Sequence, residues 1–342
     1  MPTVVRFHEL GGPEHLRFEQ EATRELAEGE VRLRVQASGL NRAESMYYHG
    51  TYMEKPELPS RLGYEVAGIV EAVGAGVDPS WMGKSVSTIP GFSQGRYGTL
   101  GEEAIVPATV LSEYPPNLTP TQGAAIWMQY LTAWGALIHV GGVKAGDFVS
   151  IPAASSSVGI AAIQIVQDAG ATAIALTRTA TKRDELRALG APHVIVLGQE
   201  SYGARIHDIT GGQGVRLTFD PVAGPFIDTL AGSAALGGMI IEYGALSGEP
   251  TPFPMLQALT RFVSVRGYTL HEIINDPELV ATAKKYVWDR LVDGRFVPQI
   301  ARAFPFEQTP WAYRYLESNQ QVGKVVITFP ERSERSSLGS QG

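Results

Sequence analysis

The sequence predicts an α/β protein in which a doubly wound parallel sheet is inserted into a smaller, mostly β unit. Between residues 147 and 270, strand-like apolar runs alternate with helical segments, and this alternation is typical of a parallel sheet. Residues 1 to 120 instead contain short strands punctuated by glycine and proline, as in a small β barrel. The chain has 342 residues, more than one hydrophobic core usually serves, so two domains are expected.

Each element of this prediction follows from a local pattern. Six apolar runs form the expected parallel sheet, at residues 148–152, 173–176, 193–197, 215–220, 239–243 and 263–267. Helices are expected at residues 202–209, 226–236, 277–293 and 309–318. Strands of the β unit are expected at residues 31–37, 65–73, 84–88, 101–106 and 324–329. The resulting domains are residues 1–123, the inserted sheet at 124–270, and a return to the β unit at 271–330, followed by a flexible polar tail at 331–342.

Composition excludes several classes of function. With 28 basic and 35 acidic residues the net charge is −7, and no run is basic enough for a nucleic-acid site. The absence of cysteine excludes disulfides, thiolate zinc sites, iron–sulfur clusters and a cysteine nucleophile. The N-terminus lacks the pattern of a signal peptide, and no run of 18 apolar residues occurs. We therefore expect a cytoplasmic protein that binds neither nucleic acid nor membrane.

The turn after the first strand of the sheet has the features of a phosphate site. It leads directly into a predicted helix that ends near Gly170, and such a helix start offers free backbone N–H groups and a positive dipole. Serines stand where two glycines of the GxGxxG motif are expected. The turn itself consists of Ser155, Ser156, Ser157, Val158 and Gly159. We interpret it as the site of a dinucleotide pyrophosphate.

The end of the second strand indicates which dinucleotide binds. An NAD site usually has an acidic residue there, about 20 residues after the turn, to bind the ribose 2′-hydroxyl. This chain has Thr177 and Arg178 instead, with Lys182 and Arg183 close behind. Arginine and lysine would hold a 2′-phosphate. The sequence therefore predicts NADPH, although Lys182 and Arg183 could also be a solvated helix start.

Several motifs together resemble the medium-chain dehydrogenase/reductase family, in its zinc-free branch of NADPH:quinone oxidoreductases. The matching stretches are GLNRAE at 39–44, LGYEVAGIVEAVGAGV at 62–77, YLTA at 130–133, AASSSVGIAAIQ at 153–164 and GKVV at 323–326. The resemblance covers residues 1–330. It implies that the β unit is a GroES-like catalytic domain and that the parallel sheet is a Rossmann domain.

The resemblance also implies site residues. Asn41, Tyr52 and Tyr64 would lie near the nicotinamide, where an amide and two phenols can donate hydrogen bonds without carrying charge. Each phenol could equally be packed in the barrel wall with its hydroxyl satisfied locally. Further cofactor contacts are implied at Tyr130, Thr132, Tyr243, Gly244 and Lys324, besides Asn41.

Zinc is not expected. Where zinc-dependent members of the family have a cysteine and a histidine as ligands, this chain has Asn41 and Tyr64, with Met128 or Gln129 at the position of a further cysteine. Neither amide nor phenol is a good zinc ligand. Without a Lewis acid, an activated acceptor is favoured, because a quinone or enone delocalises the negative charge that hydride transfer creates.

Three functions remain open on the sequence. The leading one is an NADPH-dependent quinone reductase. The second is an NADPH-dependent enone or enoyl-thioester reductase acting on a C=C bond, and the third is a non-catalytic NADPH-binding protein. The partner expected in each case is a small molecule. The edge strand at 263–267 further suggests a homodimer, because an apolar edge invites pairing with its symmetry mate.

Overall fold

The computed structural model describes residues 1–330 and divides the chain into two compact units. Among these residues the first unit consists of 1–128 and 298–330, and the second of Gln129–Val297. Residues 271–297, assigned above to the returning segment, thus belong to the sheet unit. Asp168 explains why, since its carboxylate accepts hydrogen bonds from Tyr286 at 2.8 Å and Arg290 at 2.5 Å. The expected tail at 331–342 lies outside the described residues.

The described residues contain sixteen strands and twelve α-helices, numbered in chain order. The strands are β1 Thr3–Phe7, β2 Leu16–Gln20, β3 Glu30–Gly39, β4 Ser60–Arg61, β5 Glu65–Val73, β6 Ser85–Thr88, β7 Glu103–Pro107, β8 Leu111–Glu113, β9 Phe148–Ile151, β10 Thr172–Thr177, β11 His193–Val196, β12 Val215–Asp220, β13 Ala234–Glu242, β14 Ser264–Gly267, β15 Ile300–Pro305 and β16 Lys324–Thr328. The helices are α1 Arg42–Tyr48, α2 Gln94–Tyr97, α3 Pro120–Gly123, α4 Trp127–Trp134, α5 Ser157–Asp168, α6 Arg183–Ala188, α7 Tyr202–Thr210, α8 Ile227–Gly232, α9 Met255–Arg261, α10 His271–Ile274, α11 Pro277–Val292 and α12 Thr309–Glu317.

The second unit is a doubly wound parallel sheet of six strands. Its order is β11-β10-β9-β12-β13-β14, and every neighbouring pair is parallel. The order reverses between β9 and β12, which is where ligands bind in sheets of this kind, beyond the carboxyl ends of the strands. The fold class predicted from the alternation of strands and helices is therefore confirmed for this unit.

One element of this sheet was predicted wrongly. The expected helix at 226–236 ends at Gly232, and β13 begins at Ala234, five residues before the predicted strand. Ala234 pairs with Val215, after which the register shifts before Leu217 pairs with Met239. The shift leaves Leu236 71% exposed. In the sequence, Leu236 fits the apolar spacing of a helix and so extended the predicted helix, although its side chain does not contribute to the core.

The first unit is mostly β and has two apolar cores. A seven-stranded sheet of order β15-β16-β3-β5-β6-β8, with β7 paired to β3, lies beside a three-stranded sheet of order β2-β1-β4. The chain returns after the second unit as β15 and β16, and β16 pairs antiparallel with β3 through Ile327 and Ser38. One core forms inside the larger sheet around Leu33 and Val66. The other packs α1 and α12 together through Tyr48 and Tyr313.

Candidate active site

The serine turn of the second unit is built as a tight connection between β9 and α5. Ala153 has a positive φ of 49°, and the Ser156 hydroxyl caps α5 by accepting a 3.0 Å hydrogen bond from the Gly159 N–H. A Cβ at Gly159 would lie 2.6 Å from the backbone oxygen of Ala154. Only glycine therefore fits there, because a side chain would collide with the turn itself. The twelve-residue helix behind it presents its positive end at the turn.

Of the three cationic residues after β10, two lie beside the serine turn and one is held in an ion pair. Lys182 is half-buried, and its ammonium donates a 2.9 Å hydrogen bond to the Ser155 hydroxyl. Burial, and then the nearby charge of Arg178, lower the pKa of Lys182. Arg183 instead points to Glu200, with which it forms a 2.6 Å ion pair. Arg178 is exposed, so Arg178 and Lys182 form a cationic pair beside the turn that a 2′-phosphate would neutralise.

Two further predicted cofactor residues follow β13. The ring of Tyr243 stacks on Phe219 at a centroid distance of 3.9 Å, and its buried hydroxyl has no hydrogen-bond partner among residues 1–330. Burial and the Asp220 carboxylate raise the pKa of Tyr243, whereas the neighbouring Ser156 hydroxyl lowers it. Gly244 is constrained as well, since a Cβ there would lie 2.7 Å from the Pro221 oxygen. An orphaned hydroxyl beside the turn fits a bound polar ligand.

The remaining predicted contacts of this unit lie in less accessible surroundings. Tyr130 is fully buried, stacks on Phe296 at 5.1 Å, and donates a 2.7 Å hydrogen bond to Gln164. Its side chain is therefore part of the core and has no donor left for a cofactor. Thr132 is 7% exposed. The Thr177 hydroxyl accepts the Thr179 N–H at 3.3 Å and so stabilises the turn that carries Arg178.

In the first unit, the predicted residues Asn41 and Lys324 belong to a buried charge network. The Lys324 side chain is fully buried, and its ammonium binds the Glu65 carboxylate and, at 2.6 Å, the Asn41 Oδ1. The other Glu65 oxygen accepts the Met128 N–H at 2.7 Å. Lys324 is thus a buried cation with two partners, which is the arrangement that makes a buried charge tolerable.

Glu44 completes this network. It accepts the Asn41 N–H at 2.9 Å and the Tyr313 hydroxyl at 2.9 Å, and the Tyr64 N–H lies 3.3 Å away. Burial raises the pKa of Glu44, while the Asn41 N–H and the Lys324 charge work in the opposite direction. The Asn41 side-chain N–H groups face carbonyl and carboxylate oxygens, at 3.2 Å from Gly39 O. The side chain of Asn41 is therefore held rigidly by the protein's own groups.

The two predicted phenols, Tyr52 and Tyr64, do come together. Tyr64 is 5% exposed, and burial raises the pKa of both side chains. Each hydroxyl is close enough to influence the pKa of the other. Tyr64 also lies beside Glu54, with 3.4 Å between its hydroxyl and the Glu54 Oε2. The site thus brings together two uncharged phenols, one of which, Tyr64, directs its O–H to a carboxylate.

Three acidic residues of the site were missed by the sequence analysis. Glu44 and Glu65 lie inside the motifs GLNRAE and GYEVAG, and both are at most 1% exposed. A charged residue at the start of an otherwise apolar strand such as β5 was the available signal. Glu54 lies in the loop between α1 and β4 and had no such signal, because acidic loop residues are usually solvated.

Within residues 1–330, no group of three or more His, Cys, Asp or Glu side chains is placed to hold a metal ion. Asn41 and Tyr64, at the positions of zinc ligands in related enzymes, are engaged as described above. None of the described helices is long and apolar enough to cross a membrane.

Comparison with known proteins agrees with both units. Residues 27–116 match the family model of the alcohol dehydrogenase GroES-like domain, and residues 157–285 match that of the zinc-binding dehydrogenase. The chain is 30% identical over 328 residues to the quinone oxidoreductase-like protein 2 homolog of Nematostella vectensis, covering 95% of this chain and 88% of the relative. It is 28% identical over 338 residues to the 2-haloacrylate reductase of a Burkholderia species, covering 96% and 99%.

A solved structure extends the likeness to three dimensions. Escherichia coli quinone oxidoreductase complexed with NADPH matches with a TM-score of 0.87 and 26% identity, over 95% of this chain and 99% of that one. The chain belongs to the medium-chain dehydrogenase/reductase superfamily, in its quinone oxidoreductase-like branch of oxidoreductases.

Proposed function

We propose that this protein is an NADPH-dependent oxidoreductase that transfers hydride, without zinc, to a conjugated carbonyl acceptor, with a quinone as the leading substrate class. The observation that carries the proposal is the pair of phenols, Tyr52 and Tyr64. A conjugated acceptor receives hydride at carbon, and its oxygen becomes negative. The Tyr52 O–H stabilises that oxygen, Tyr64 lies beside Tyr52 as the next phenol, and a raised phenol pKa keeps both side chains protonated at neutral pH.

The cofactor part of the proposal depends on the second unit. When bound, NADPH supplies the hydride. Backbone N–H groups at the start of α5 bind the pyrophosphate, and Arg178 with Lys182 binds the 2′-phosphate. Tyr243 offers its unsatisfied hydroxyl to the cofactor. The E. coli relative was crystallised with NADPH, which supports the same choice here.

The buried network of the first unit suggests a positioning role for two predicted cofactor contacts. Asn41 and Lys324 were expected to contact the cofactor, yet their polar atoms are used by Glu44 and Glu65. We propose that Asn41 and Lys324 act by holding neighbouring segments in position. The Glu44 carboxylate lies close to the Tyr64 N–H as well as the start of α1, so the network helps to hold the phenol-bearing segment in place.

A C=C reductase is the second candidate. The relative that is called a 2-haloacrylate reductase supports it, since an acrylate carries an activated alkene. The same phenols would then donate the proton that completes the reduction. A non-catalytic NADPH-binding protein is the candidate of another class, and the tyrosine pair speaks against it because a buried, uncharged phenol donor suits a developing oxyanion.

One acceptor panel separates these candidates. NADPH oxidation is followed at its absorbance with 1,4-benzoquinone, trans-2-hexenal and crotonyl-CoA, each with and without a chelator. We expect turnover with the quinone that the chelator leaves unchanged, and far less than one zinc per chain by elemental analysis. Faster turnover of the alkenes would favour the second candidate, and NADPH binding without turnover the third. Loss of activity with the chelator, restored by zinc, would contradict the zinc-free mechanism.

We also propose that the protein is a homodimer joined through the edge of the parallel sheet. Strand β14 pairs on one side with β13, and among the described residues its other edge has no strand partner. The adjoining helix α9 and the residue that follows it expose an apolar group, namely Met255, Leu256, Leu259 and Phe262, each at least 58% exposed. Such a patch next to an open edge suits a second copy. Light scattering should give a dimer mass for the wild type and a monomer for Leu259→Asp, with Leu10→Asp as an exposed control on the first unit.

A further inference from the structure

Glu54 has contacts on two sides that no step described so far uses. On one side its Oε2 lies 3.4 Å from the Tyr64 hydroxyl. On the other its Oε1 accepts a 2.5 Å hydrogen bond from the Ser93 hydroxyl, and the Gly95 N–H lies 3.3 Å away. Ser93 is exposed, Glu54 is half-buried, and Tyr64 is buried. These groups therefore form a polar path from the solvent to the phenols.

The charge of Glu54 is not neutralised by a neighbour. Among the described residues no cation forms an ion pair with Glu54, and the adjacent Lys55 donates instead to the Gly50 carbonyl at 2.9 Å. The Glu54 charge helps to raise the pKa values of Tyr52 and Tyr64. A carboxylate that contacts both a phenol and an exposed hydroxyl can take a proton from water and pass it on.

Resting on the proposed function, we propose that Glu54 is the proton-relay residue that returns a proton from solvent to the Tyr64–Tyr52 pair after each turnover. Hydride adds to the acceptor carbon, and the electron pair moves to the acceptor oxygen. Tyr52 gives its proton to the resulting anion. Tyr64 passes its proton to the Tyr52 phenolate, and the Glu54 carboxylate then takes a proton from solvent beside Ser93 and delivers it to the Tyr64 phenolate. One hydride and one proton are thus added, and every side chain returns to its starting state.

Three variants test the relay in the full-length protein. Glu54→Gln keeps the shape but cannot transfer a proton, Glu54→Asp keeps the carboxylate, and Glu57→Gln neutralises an exposed acid of the same loop as a matched control. With saturating NADPH and either 1,4-benzoquinone or trans-2-hexenal, we expect Glu54→Gln to lower kcat at least about tenfold with little change in KM, since proton transfer typically contributes 10²-fold or more. Glu54→Asp should retain more activity than Glu54→Gln, and Glu57→Gln should match the wild type.

Chemical rescue separates the relay from a structural role. In Glu54→Ala, which opens space for a small acid, added formate or acetate should restore part of kcat, while the Tm and the NADPH Kd of each variant should stay near the wild-type values. A wild-type kcat in Glu54→Gln, or an impaired Glu54→Ala that carboxylic acids do not rescue, would overturn the relay. If the wild type turns over neither acceptor, the proposed function fails first and the relay with it, so the two failures are distinguishable.

Discussion

Replacing Glu242 with glutamine is expected to remove a pH dependence from the stability of the second unit. Glu242 ends strand β13 and pairs in register with Asp220 on β12. Both Glu242 carboxylate oxygens are buried without a hydrogen-bond partner among the described residues. Asp220 accepts the Val222 N–H at 2.8 Å and the Ala223 N–H at 3.2 Å, so Asp220 is the better stabilised anion of the two.

These surroundings determine the sign of the effect. Burial, and then the Asp220 charge, raise the pKa of Glu242 from an ordinary 4.5 to about 8. The folded protein therefore keeps a proton on Glu242 that the unfolded chain loses. The resulting stability is fully present below the unfolded pKa and is lost as the pH rises through the folded one.

The size of the effect follows from the same two pKa values. Linkage gives a loss of about 2.5 kcal/mol between roughly pH 5 and pH 7, and we expect about 2 kcal/mol because the residue is partly exposed. For a unit of this size that loss corresponds to a Tm decrease of about 4–8 °C.

Thermal unfolding of the cofactor-free protein between pH 5 and 8 measures this pH dependence of the Tm. Glu242→Gln should lose most of the pH slope that the wild type shows, whereas Glu249→Gln, an exposed acid on the same connection, should keep it. Equal slopes for wild type and Glu242→Gln would refute the assignment of the proton to Glu242.

Three further predictions concern the cofactor turn and the buried network. NADPH should bind at least tenfold tighter than NADH, because charged hydrogen bonds contribute about 1.5–3 kcal/mol. Arg178→Ala should remove most of this difference in Kd and the ion-paired Arg183→Ala little of it, and equal Kd values for the two cofactors in the wild type would contradict the prediction. Gly159→Val should weaken NADPH binding strongly because the new Cβ collides with the turn backbone, whereas Ser156→Ala should weaken it modestly, since a helix cap contributes about 1 kcal/mol. A folded Gly159→Val protein with wild-type NADPH affinity in calorimetry would contradict the phosphate-binding role of the turn. Lys324→Met should cost about 3–5 kcal/mol in urea unfolding because it leaves a buried carboxylate unpaired, and a loss below about 1 kcal/mol would show that the charge is dispensable.

Much of the fold was predictable because its patterns are local. Strands buried on both faces of a parallel sheet read as short apolar runs, and the helices between them repeat with their own period, so the order of elements from 148 to 267 could be predicted. The position of Arg178 and Lys182 after β10 was also predictable, since the strand end lies a set distance from the phosphate turn. Where a local pattern misled, as at Leu236, the cause was a change of register that only the neighbouring strand imposes.

The chemistry of the site depended on partners far apart in the sequence. Lys324 binds Asn41 across 283 positions, and this contact makes both residues, which the sequence predicts as cofactor contacts, parts of a buried network. The acid that backs Tyr64 lies in a loop, and the hydroxyl of Tyr130 is used by Gln164 within the core. The sequence by itself determined which residue types and which elements the protein has, because propensity and periodicity act over a few residues. Only the tertiary structure decided which polar groups are satisfied and which remain for a ligand, because burial and hydrogen bonding depend on segments brought together by folding.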